Sequence, residues 1–376
     1  MVALHQAVAG LQTREAGMAI VCGANLILNP DMFVHMSELG FLSPSGKCQS
    51  FDAAGDGYAR GEGALALLLK PLGAALRDND PIRSVIRGAR INQDGRTNGI
   101  TMPSSLAQKR NMQVLYESYG LRPADVQYVE AHVKHPQLNL SVGPNNILTQ
   151  VQGTGTAVGD PIELSAIESV FCHPDRQENL VVGSVKPNVG HLEACAALIG
   201  IIKAVESLER GLIPPQLHYS TPNPKINLDT IAIPTSTRSW PRTRNGVRCA
   251  AVNSFGFGGT NGHLVLESFP TVPSEQVSQL RHFLFKISAA NEISLAALAE
   301  SYADYIDRQR PSLSDLAYTL LARRSTMKRV MFLTASSHDE LIEKLRNWNG
   351  TAKVMTWRPS LEPRIGFVFT GQGAQW

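Results

Sequence analysis

The stretch that decides the fold is Leu180-Val-Val-Gly183-Ser-Val-Lys186-Pro-Asn188-Val-Gly190-His191-Leu-Glu193, together with the apolar run that follows it to Arg210. Its first part, Leu180–Val185, is short, apolar and β-branched, which predicts a buried strand. The run Glu193–Arg210 predicts a long apolar helix that ends at Gly211. A strand, a glycine-rich turn that carries Lys and His, and a helix together form the repeating unit of an α/β fold.

The same alternation of strand and helix extends to about Pro270. Asp160-Pro161 combines an N-cap residue with proline at the first helical position, which predicts a helix to about Val170. A serine cap and a glycine stop predict another helix, from Ser104 through Tyr119 to Gly120. Further strands are predicted over Ala19–Leu28 and Val126–Ala131, and Gly63–Leu69 is a candidate for a buried strand. We therefore predict an α/β fold in which helices pack over a mainly buried sheet.

The pattern changes after about Pro270 and predicts a second, smaller α/β unit. A strand is predicted over Val330–Thr334, and another apolar strand begins at Arg364–Phe369. The amphipathic helices of this unit are predicted over Ser294–Gln309, Ser314–Arg324 and Ser336–Trp348.

Composition excludes several classes of protein. The 376 residues are 43% hydrophobic, which is enough for a sizeable core. The net charge of only +3 gives no indication of a nucleic-acid-binding surface. The longest apolar run, Ala194–Ile202, is far shorter than the roughly 20 residues of a membrane span. No secretion signal opens the chain, so we expect a cytoplasmic protein. The scattered cysteines favour reduced thiols over disulfides or a metal site. They are Cys22, Cys48, Cys172, Cys195 and Cys249.

Two further motifs join the one quoted first. One begins with Glu130-Ala-His132 and resumes twenty residues later as Gly153-Thr-Gly-Thr156-Ala-Val-Gly-Asp160. The other is Asn253-Ser-Phe-Gly-Phe257-Gly-Gly-Thr260-Asn261-Gly-His263. Each follows a predicted strand, and strand ends with glycine-rich turns are where sites lie in α/β folds.

These residue types suit the stabilisation of an enolate at a thioester. Two neutral imidazoles, of His132 and His191, can donate N–H groups to one developing oxyanion. Lys186 adds a positive charge, and the turn at Phe257 can present a backbone N–H while its ring excludes water. The alternative is that these residues have no catalytic role. The histidines would then be structural and hydrogen-bonded, the lysine exposed to solvent and the phenylalanine part of the core. A dinucleotide loop at Gly153 is disfavoured by its GxGxxxG spacing.

In this order the three motifs resemble the β-ketoacyl synthase (ketosynthase) domain of a modular or iterative polyketide synthase. Phe51-Asp-Ala-Ala-Gly-Asp-Gly-Tyr-Ala-Arg-Gly-Glu-Gly63 and Asn92-Gln-Asp-Gly-Arg-Thr-Asn-Gly-Ile-Thr-Met-Pro103 are similar to the fungal highly reducing type. The resemblance implies an incomplete thiolase-like fold of αβαβα layers, followed by a small α/β linker domain. It implies a ketosynthase portion over 1–268, a ketosynthase–acyltransferase linker over 269–362 and the start of an acyltransferase domain over 363–376.

The resemblance also implies roles for particular residues. His132 and His191 would decarboxylate a malonyl thioester and stabilise its enolate, with Lys186 in support. The phosphopantetheine arm of an acyl carrier protein would be bound by Thr154, Thr156, Phe257, Thr260 and Asn261. The parent reaction is decarboxylative Claisen condensation of malonyl units onto an enzyme-bound acyl chain. The parent enzyme would act as a homodimer on malonyl and acyl thioesters, with no directly bound cofactor, metal, nucleic acid or membrane.

The sequence departs from the family in three places. The family nucleophile is a cysteine just before a Val-Ala-Leu-His helix, and the sequence starts at Met1-Val-Ala-Leu-His5, so we expect that cysteine to be absent. Cys22, in a predicted core strand, does not replace it. Val133–Gln152 interrupts a motif that the family writes as Glu-Ala-His-Gly-Thr-Gly-Thr. Pro187 stands where many members have Thr, and restricts Lys186.

The inserted segment has the features of a retained intron. Its first residue, Val133, has codons that begin with GT, one codon of Gln152 ends with AG, and twenty codons preserve the reading frame. Transcript reads that span the segment continuously would reject this hypothesis.

Two interpretations of the whole chain follow. It is a piece of a working polyketide synthase, or it is a catalytically dead truncated or pseudogene product, such as a non-catalytic dimerisation or scaffold partner. An in-frame Asp-Thr-Ala-Cys segment upstream would favour the first interpretation, and stop codons would favour the second. Because part of the thiolase-like fold would be missing, strands would be left as edges and we expect low solubility.

Overall fold

The computed structural model describes residues 1–97, 103–133, 140–142, 148–150, 159–173, 176–270, 282–348 and 354–357. The chain divides into two compact units, Met1–Thr271 and Val272–Trp376. Among the described residues, no helix combines the length and apolar character that crossing a membrane requires.

The first unit is built from seven α-helices and twelve strands within the described residues. The helices are α1 Val2–Gln12, α2 Asp31–Glu38, α3 Leu72–Arg77, α4 Ser105–Tyr119, α5 Gly159–Phe171, α6 Lys186–Val189 and α7 Ala196–Arg210, with short 3₁₀ turns at Pro123–Asp125 and Glu193–Cys195. The strands are β1 Ala19–Asn25, β2 Gly63–Leu69, β3 Ser84–Gln93, β4 Tyr128–Glu130, β5 Leu140–Val142, β6 Leu148–Gln150, β7 Leu180–Gly183, β8 Leu212–Ile213, β9 Ile231–Ala232, β10 Arg238–Ser239, β11 Cys249–Phe255 and β12 Thr260–Ser268.

A six-stranded mixed sheet forms the centre of this unit, in the order β3-β12-β11-β4-β7-β9. The pairs β11–β4, β4–β7 and β7–β9 are parallel, whereas β12 is antiparallel to both of its neighbours. Strands β4 and β7 are fully buried, as expected for parallel strands covered on both faces. Their carboxyl ends lie side by side, and the chain segments that follow them contain His132 and Lys186.

Local sequence signals account for the helices that flank this sheet. Helix α4 begins where the Ser104 side chain accepts a hydrogen bond from the N–H of Ala107, and it ends at Gly120 with φ 60°. Helix α7 ends at Gly211 with φ 64°. Both glycines adopt the left-handed conformation that favours glycine, so the predicted helix ends are confirmed.

Strands β1 and β2 form a separate antiparallel pair that differs from the sequence-based prediction. Strand β2 was expected to be buried and Cys22 to lie in a core strand, but alternate residues of both strands are exposed. Ile20 and Leu68 face each other in the register, and each is 69% exposed. The strands pack one face against α1 and the α7 region, and the described residues leave the other face open. The pleat therefore exposes every second side chain.

Within its described residues, the second unit is a three-stranded antiparallel sheet packed against three helices. Its strands are β13 Phe283–Ala289, β14 Arg329–Ala335 and β15 Val354–Thr356, and its helices are α8 Glu292–Gln309, α9 Leu313–Ala322 and α10 His338–Arg346. The helix predicted from Ser294 begins earlier, at Glu292, and its cap is Asn291, whose side chain accepts the N–H of Ser294 at 2.8 Å. The predicted strand Arg364–Phe369 lies outside the described residues.

Candidate active site

His132 follows strand β4 and is held by its backbone. Ala131 donates its N–H to the carbonyl of Gly183 on β7 at 2.8 Å, which continues the sheet pairing to the residue before His132. The N–H groups of His132 and Val133 donate to the two carboxylate oxygens of Glu163 at 2.8 and 2.7 Å. Glu163 belongs to α5 and also accepts a hydrogen bond from the amide of Asn253 at 2.9 Å. Three donors on one buried carboxylate fix the loop that carries the imidazole.

Lys186 provides the second group of the site and contacts the first directly. It is the first residue of α6, it is 5% exposed, and its Nζ lies 3.2 Å from Nδ1 of His132. Burial lowers the pKa of Lys186, and the carboxylates of Glu163 and Glu130 oppose this by raising it. When Lys186 is an ammonium it can only donate, so Nδ1 of His132 then accepts and the ring proton lies on Nε2.

His191 is held at the same tautomer by a different partner. Its Nδ1 lies 2.8 Å from the N–H of Glu193, which donates to it. The backbone N–H of His191 donates to the carbonyl of Ala59, and the N–H of Gly61 donates to the carbonyl of His191. Glu193 has φ 43°, a left-handed conformation that is strained for a glutamate. The strained peptide directs an N–H at Nδ1, which leaves Nε2 of His191 as a donor.

The two imidazoles lie close together between aromatic rings. Their ring centroids are 5.5 Å apart and nearly perpendicular. Phe255 lies 6.2 Å from the ring of His132, and Tyr58 lies 5.1 Å from the ring of His191. Two Nε2–H donors from separate loops can therefore serve one negatively charged oxygen, with aromatic rings to exclude water.

Phe257 lies on the turn between β11 and β12, where Gly259 has φ 87° and so favours glycine. Phe257 is 51% exposed, and its ring meets Phe41 edge-on at 5.6 Å. Thr260 accepts a hydrogen bond from the Gln93 amide at 2.9 Å, and the amide of the buried Asn261 donates to Asp94 at 2.6 Å and to Asn92 at 3.2 Å. The side chains of Thr260 and Asn261 thus brace the turn against β3 and the residue after it.

Not every predicted site residue can be placed. Thr154 and Thr156 lie outside the described residues, as does most of the inserted segment. At its first residue, Val133 is buried with φ 48°, a conformation that glycine would adopt without strain. The motif that the sequence resembles has glycine immediately after the histidine. Val133 occupies that position here and has a backbone conformation typical of glycine.

Four of the five cysteines lie in environments that disfavour a thiolate. Burial raises the pKa of Cys48, and the nearby Lys186 charge lowers it by less. Burial likewise raises the pKa of Cys172, Cys195 and Cys249. Cys22 is exposed on β1. Nucleophilic catalysis by cysteine needs a depressed pKa, which the environments of Cys48, Cys172, Cys195 and Cys249 do not provide.

Sequence reasoning missed the buried carboxylates that hold the site. Glu163 and Glu130 are 3% and 2% exposed, and neither was assigned a role. Glu130 stands in the quoted Glu-Ala-His motif, and Glu163 lies three residues after the helix-starting Asp160. An acidic residue inside an otherwise apolar buried strand was the available signal, since such a charge must have partners.

Comparison with known proteins identifies the family. Models described as "Beta-ketoacyl synthase, N-terminal domain", "Beta-ketoacyl synthase, C-terminal domain" and "Ketoacyl-synthetase C-terminal extension" match residues 1–75, 83–138 with 140–220, and 222–331. The chain belongs to the β-ketoacyl synthase family. The predicted resemblance to fungal highly reducing polyketide synthases is thereby confirmed, because such enzymes are among its relatives.

Three relatives illustrate the match. The chain is 43% identical over 402 residues to the highly reducing polyketide synthase Preu1 of Preussia isomera, covering 100% of this chain and 16% of that protein. It is 39% identical over 397 residues to the hybrid PKS-NRPS synthetase pytA of Aspergillus terreus, covering 100% of this chain and 56% of that protein. The solved ketosynthase from module 6 of the bacillaene synthase of Bacillus subtilis 168 is 36% identical, with a TM-score of 0.78, and covers 94% of this chain and 60% of that one. The thiolase-like α/β fold is confirmed.

Proposed function

We propose that this site stabilises the enolate formed when a malonyl thioester is decarboxylated, within a ketosynthase of a highly reducing polyketide synthase. The observation that carries the proposal is the pair of imidazoles 5.5 Å apart, each with Nδ1 occupied by a donor. Such an arrangement favours the tautomer with the ring proton on Nε2, in which both imidazoles can donate to one thioester oxygen.

The chemistry assigns a task to each group. The bond between the carboxylate carbon and the α-carbon of malonate breaks, CO₂ leaves, and its electron pair is delocalised onto the thioester oxygen. His132 and His191 donate hydrogen bonds to that oxygen, and Lys186 keeps the ring of His132 in the donating tautomer. In the condensation, the α-carbon attacks an acyl thioester and the thiolate leaves. Because burial raises the pKa of Cys48, Cys172, Cys195 and Cys249, and Cys22 is exposed on β1, we propose that the acyl-carrying thiol is none of the five cysteines.

Substrate delivery follows from the same family. We propose that the phosphopantetheine arm of an acyl carrier protein brings the malonyl group past the Phe257 turn, with Thr154 and Thr156 along its path. The active assembly is proposed to be a cytoplasmic homodimer without a directly bound cofactor. The ketosynthase portion is proposed to end near 268, followed by a linker to 362 and an acyltransferase start.

The experiment measures CO₂ and acetyl thioester released from malonyl pantetheine by the purified chain. We expect release to fall by about 100-fold in His132→Ala and in His191→Ala, the magnitude of a lost oxyanion donor. His35→Ala, on the exposed α2, is the matched control and should release CO₂ at the wild-type rate. Equal rates in all four proteins would refute the proposal. With acetyl thioester added, the chain alone is expected to form no carbon–carbon bond.

A further inference from the structure

A buried ion pair lies behind the site, between β4 and helix α7. Glu130 is 2% exposed, and its Oε2 lies 3.0 Å from Nζ of Lys203, whose side chain is 12% exposed. The same Oε2 accepts a hydrogen bond from the hydroxyl of Tyr128 at 2.5 Å, and Oε1 accepts one from the N–H of Val185 at 2.6 Å. Both carboxylate oxygens are thus bound by groups of the protein itself.

Two glycines make room for this pair. A Cβ on Gly183 of β7 would lie 2.9 Å from the Tyr128 hydroxyl and 3.4 Å from Nζ of Lys203. A Cβ on Gly200 of α7 would lie 3.2 Å from Cγ of Glu130. A buried ion pair gives little net stability compared with apolar packing of similar volume, so stability alone does not account for it.

The pair is connected to both polar groups of the site through short stretches of backbone. Val185 immediately precedes Lys186, so its hydrogen bond to Glu130 ties the start of α6 to β4. Glu130 is separated from His132 only by Ala131, whose N–H is bound to Gly183. Glu130 therefore joins the two chain segments whose side chains meet in the 3.2 Å contact between Lys186 and His132.

The charge of Glu130 also acts on Lys186. Several groups lie around the Lys186 side chain. They are Glu130 and His132 on the β4 segment, Asp160 and Glu163 on α5, Glu193 after α6, and Cys48. Burial lowers the pKa of Lys186, and Glu163 and Glu130 are the largest causes that raise it. Lys203 supplies the counter-charge that lets Glu130 remain in the interior, because an uncompensated buried charge is strongly unfavourable.

We propose that Glu130 and Lys203 are a positioning pair that holds Lys186, as an ammonium, against Nδ1 of His132. Glu130 contributes the acceptor for Val185 and the negative charge, and Lys203 compensates that charge. The pair touches neither substrate nor reacting atoms, and the proposal rests on the proposed function of Lys186 at the site.

The decisive variant is Glu130→Gln/Lys203→Met, which removes both charges together while glutamine keeps an oxygen for the Val185 N–H. The titration of Lys186 is followed in the whole chain by ¹³C NMR of labelled lysine. We expect its midpoint to move to lower pH by up to about one pH unit, because Glu130 is among the largest causes that raise the pKa of Lys186, and the simultaneous loss of the Lys203 charge offsets only part of that shift. Above that midpoint, we expect the rate of malonyl thioester decarboxylation to fall about tenfold, which corresponds to a rise of about 1.4 kcal/mol in the activation free energy.

A matched control is Glu340→Gln/Lys344→Met, which removes a Glu–Lys pair from α10 of the second unit. It should change neither readout. A wild-type Lys186 midpoint in the Glu130/Lys203 variant overturns the proposal. If the wild-type chain releases no CO₂, the proposed function fails, and the Lys186 midpoint still decides the positioning role.

A second variant keeps the proposal testable if the charge-free pair does not fold. Glu130→Asp retains the charge but withdraws the carboxylate from the N–H of Val185. Amide hydrogen exchange at Val185 is then expected to accelerate at least tenfold, the effect of about 1.4 kcal/mol of lost protection. Exchange at the wild-type rate, with an unchanged Lys186 titration, contradicts the proposal.

Discussion

Replacement of Asp160 by asparagine should change how stability depends on pH. Asp160 begins the first turn of α5, is 2% exposed, and accepts the N–H of Phe51 through Oδ2 at 2.9 Å. Burial raises the pKa of this carboxyl from 3.8 to about 7, and the Phe51 hydrogen bond and the Lys186 charge lower it by less. The folded protein therefore binds a proton more tightly than the unfolded chain does.

The pH dependence of stability is set by the difference in proton binding between the folded and unfolded states. Below pH 3.8 both states are protonated and Asp160 has no effect. As the pH rises to about 7 the folded state binds more protons, so wild-type stability falls, and above pH 7 the penalty is complete. Each unit of pKa difference is worth about 1.4 kcal/mol, which puts the full penalty at about 4 kcal/mol. Asparagine cannot ionise, so Asp160→Asn should lose this dependence.

The assay is urea denaturation of wild type and Asp160→Asn at several pH values between 4 and 8. We expect the variant to gain stability relative to wild type as the pH rises, by up to about 4 kcal/mol. The new amide replaces an Oδ1 that has no hydrogen-bond partner among the described residues, and any constant offset from this change does not alter that slope. Asp56→Asn, at an exposed aspartate of the same unit, should run parallel to wild type. Parallel curves for Asp160→Asn and wild type would refute the reasoning.

Three further changes test other parts of the structure. Glu163→Gln places an amide NH₂ against one of the two buried N–H groups that the carboxylate binds. We expect the free energy of unfolding to fall by about 1–3 kcal/mol and decarboxylation to slow. An unchanged decarboxylation rate would contradict the role of Glu163 at His132. Gly259→Ala adds a Cβ at φ 87° and should cost about 1–2 kcal/mol, which a wild-type melting temperature would disprove. Ile20→Thr/Leu68→Thr removes exposed apolar surface from β1–β2 and should reduce aggregation in light scattering, whereas equal scattering would show that this face does not drive association.

The sequence predicted the elements that have local signals. Ser104 and Gly120 indicated the limits of α4, and the apolar run from Leu180 correctly indicated a strand, which ends at Gly183. The closeness of His132, Lys186 and His191 was inferred from two strand ends and from the family resemblance. The structure brings these side chains together, and their catalytic roles stay predictions.

Other features depend on long-range packing, which the sequence does not display. An apolar strand such as Gly63–Leu69 looks the same whether one face or both are covered, so its exposure was not foreseen. The partners of Glu130 and Glu163 are distant in sequence. Val185 is 55 residues from Glu130, and Asn253 is 90 residues from Glu163, so only the folded chain shows which donors surround each carboxylate.

The most direct test of the account is the tautomer of the two imidazoles. Long-range ¹H–¹⁵N correlation NMR of the histidine-labelled chain at pH 8, with His132→Gln and His191→Gln for assignment, shows which ring nitrogen carries the proton. The account predicts a proton on Nε2 of both His132 and His191, because Lys186 and the Glu193 N–H donate to their Nδ1 atoms. A proton on Nδ1 of either ring would contradict it.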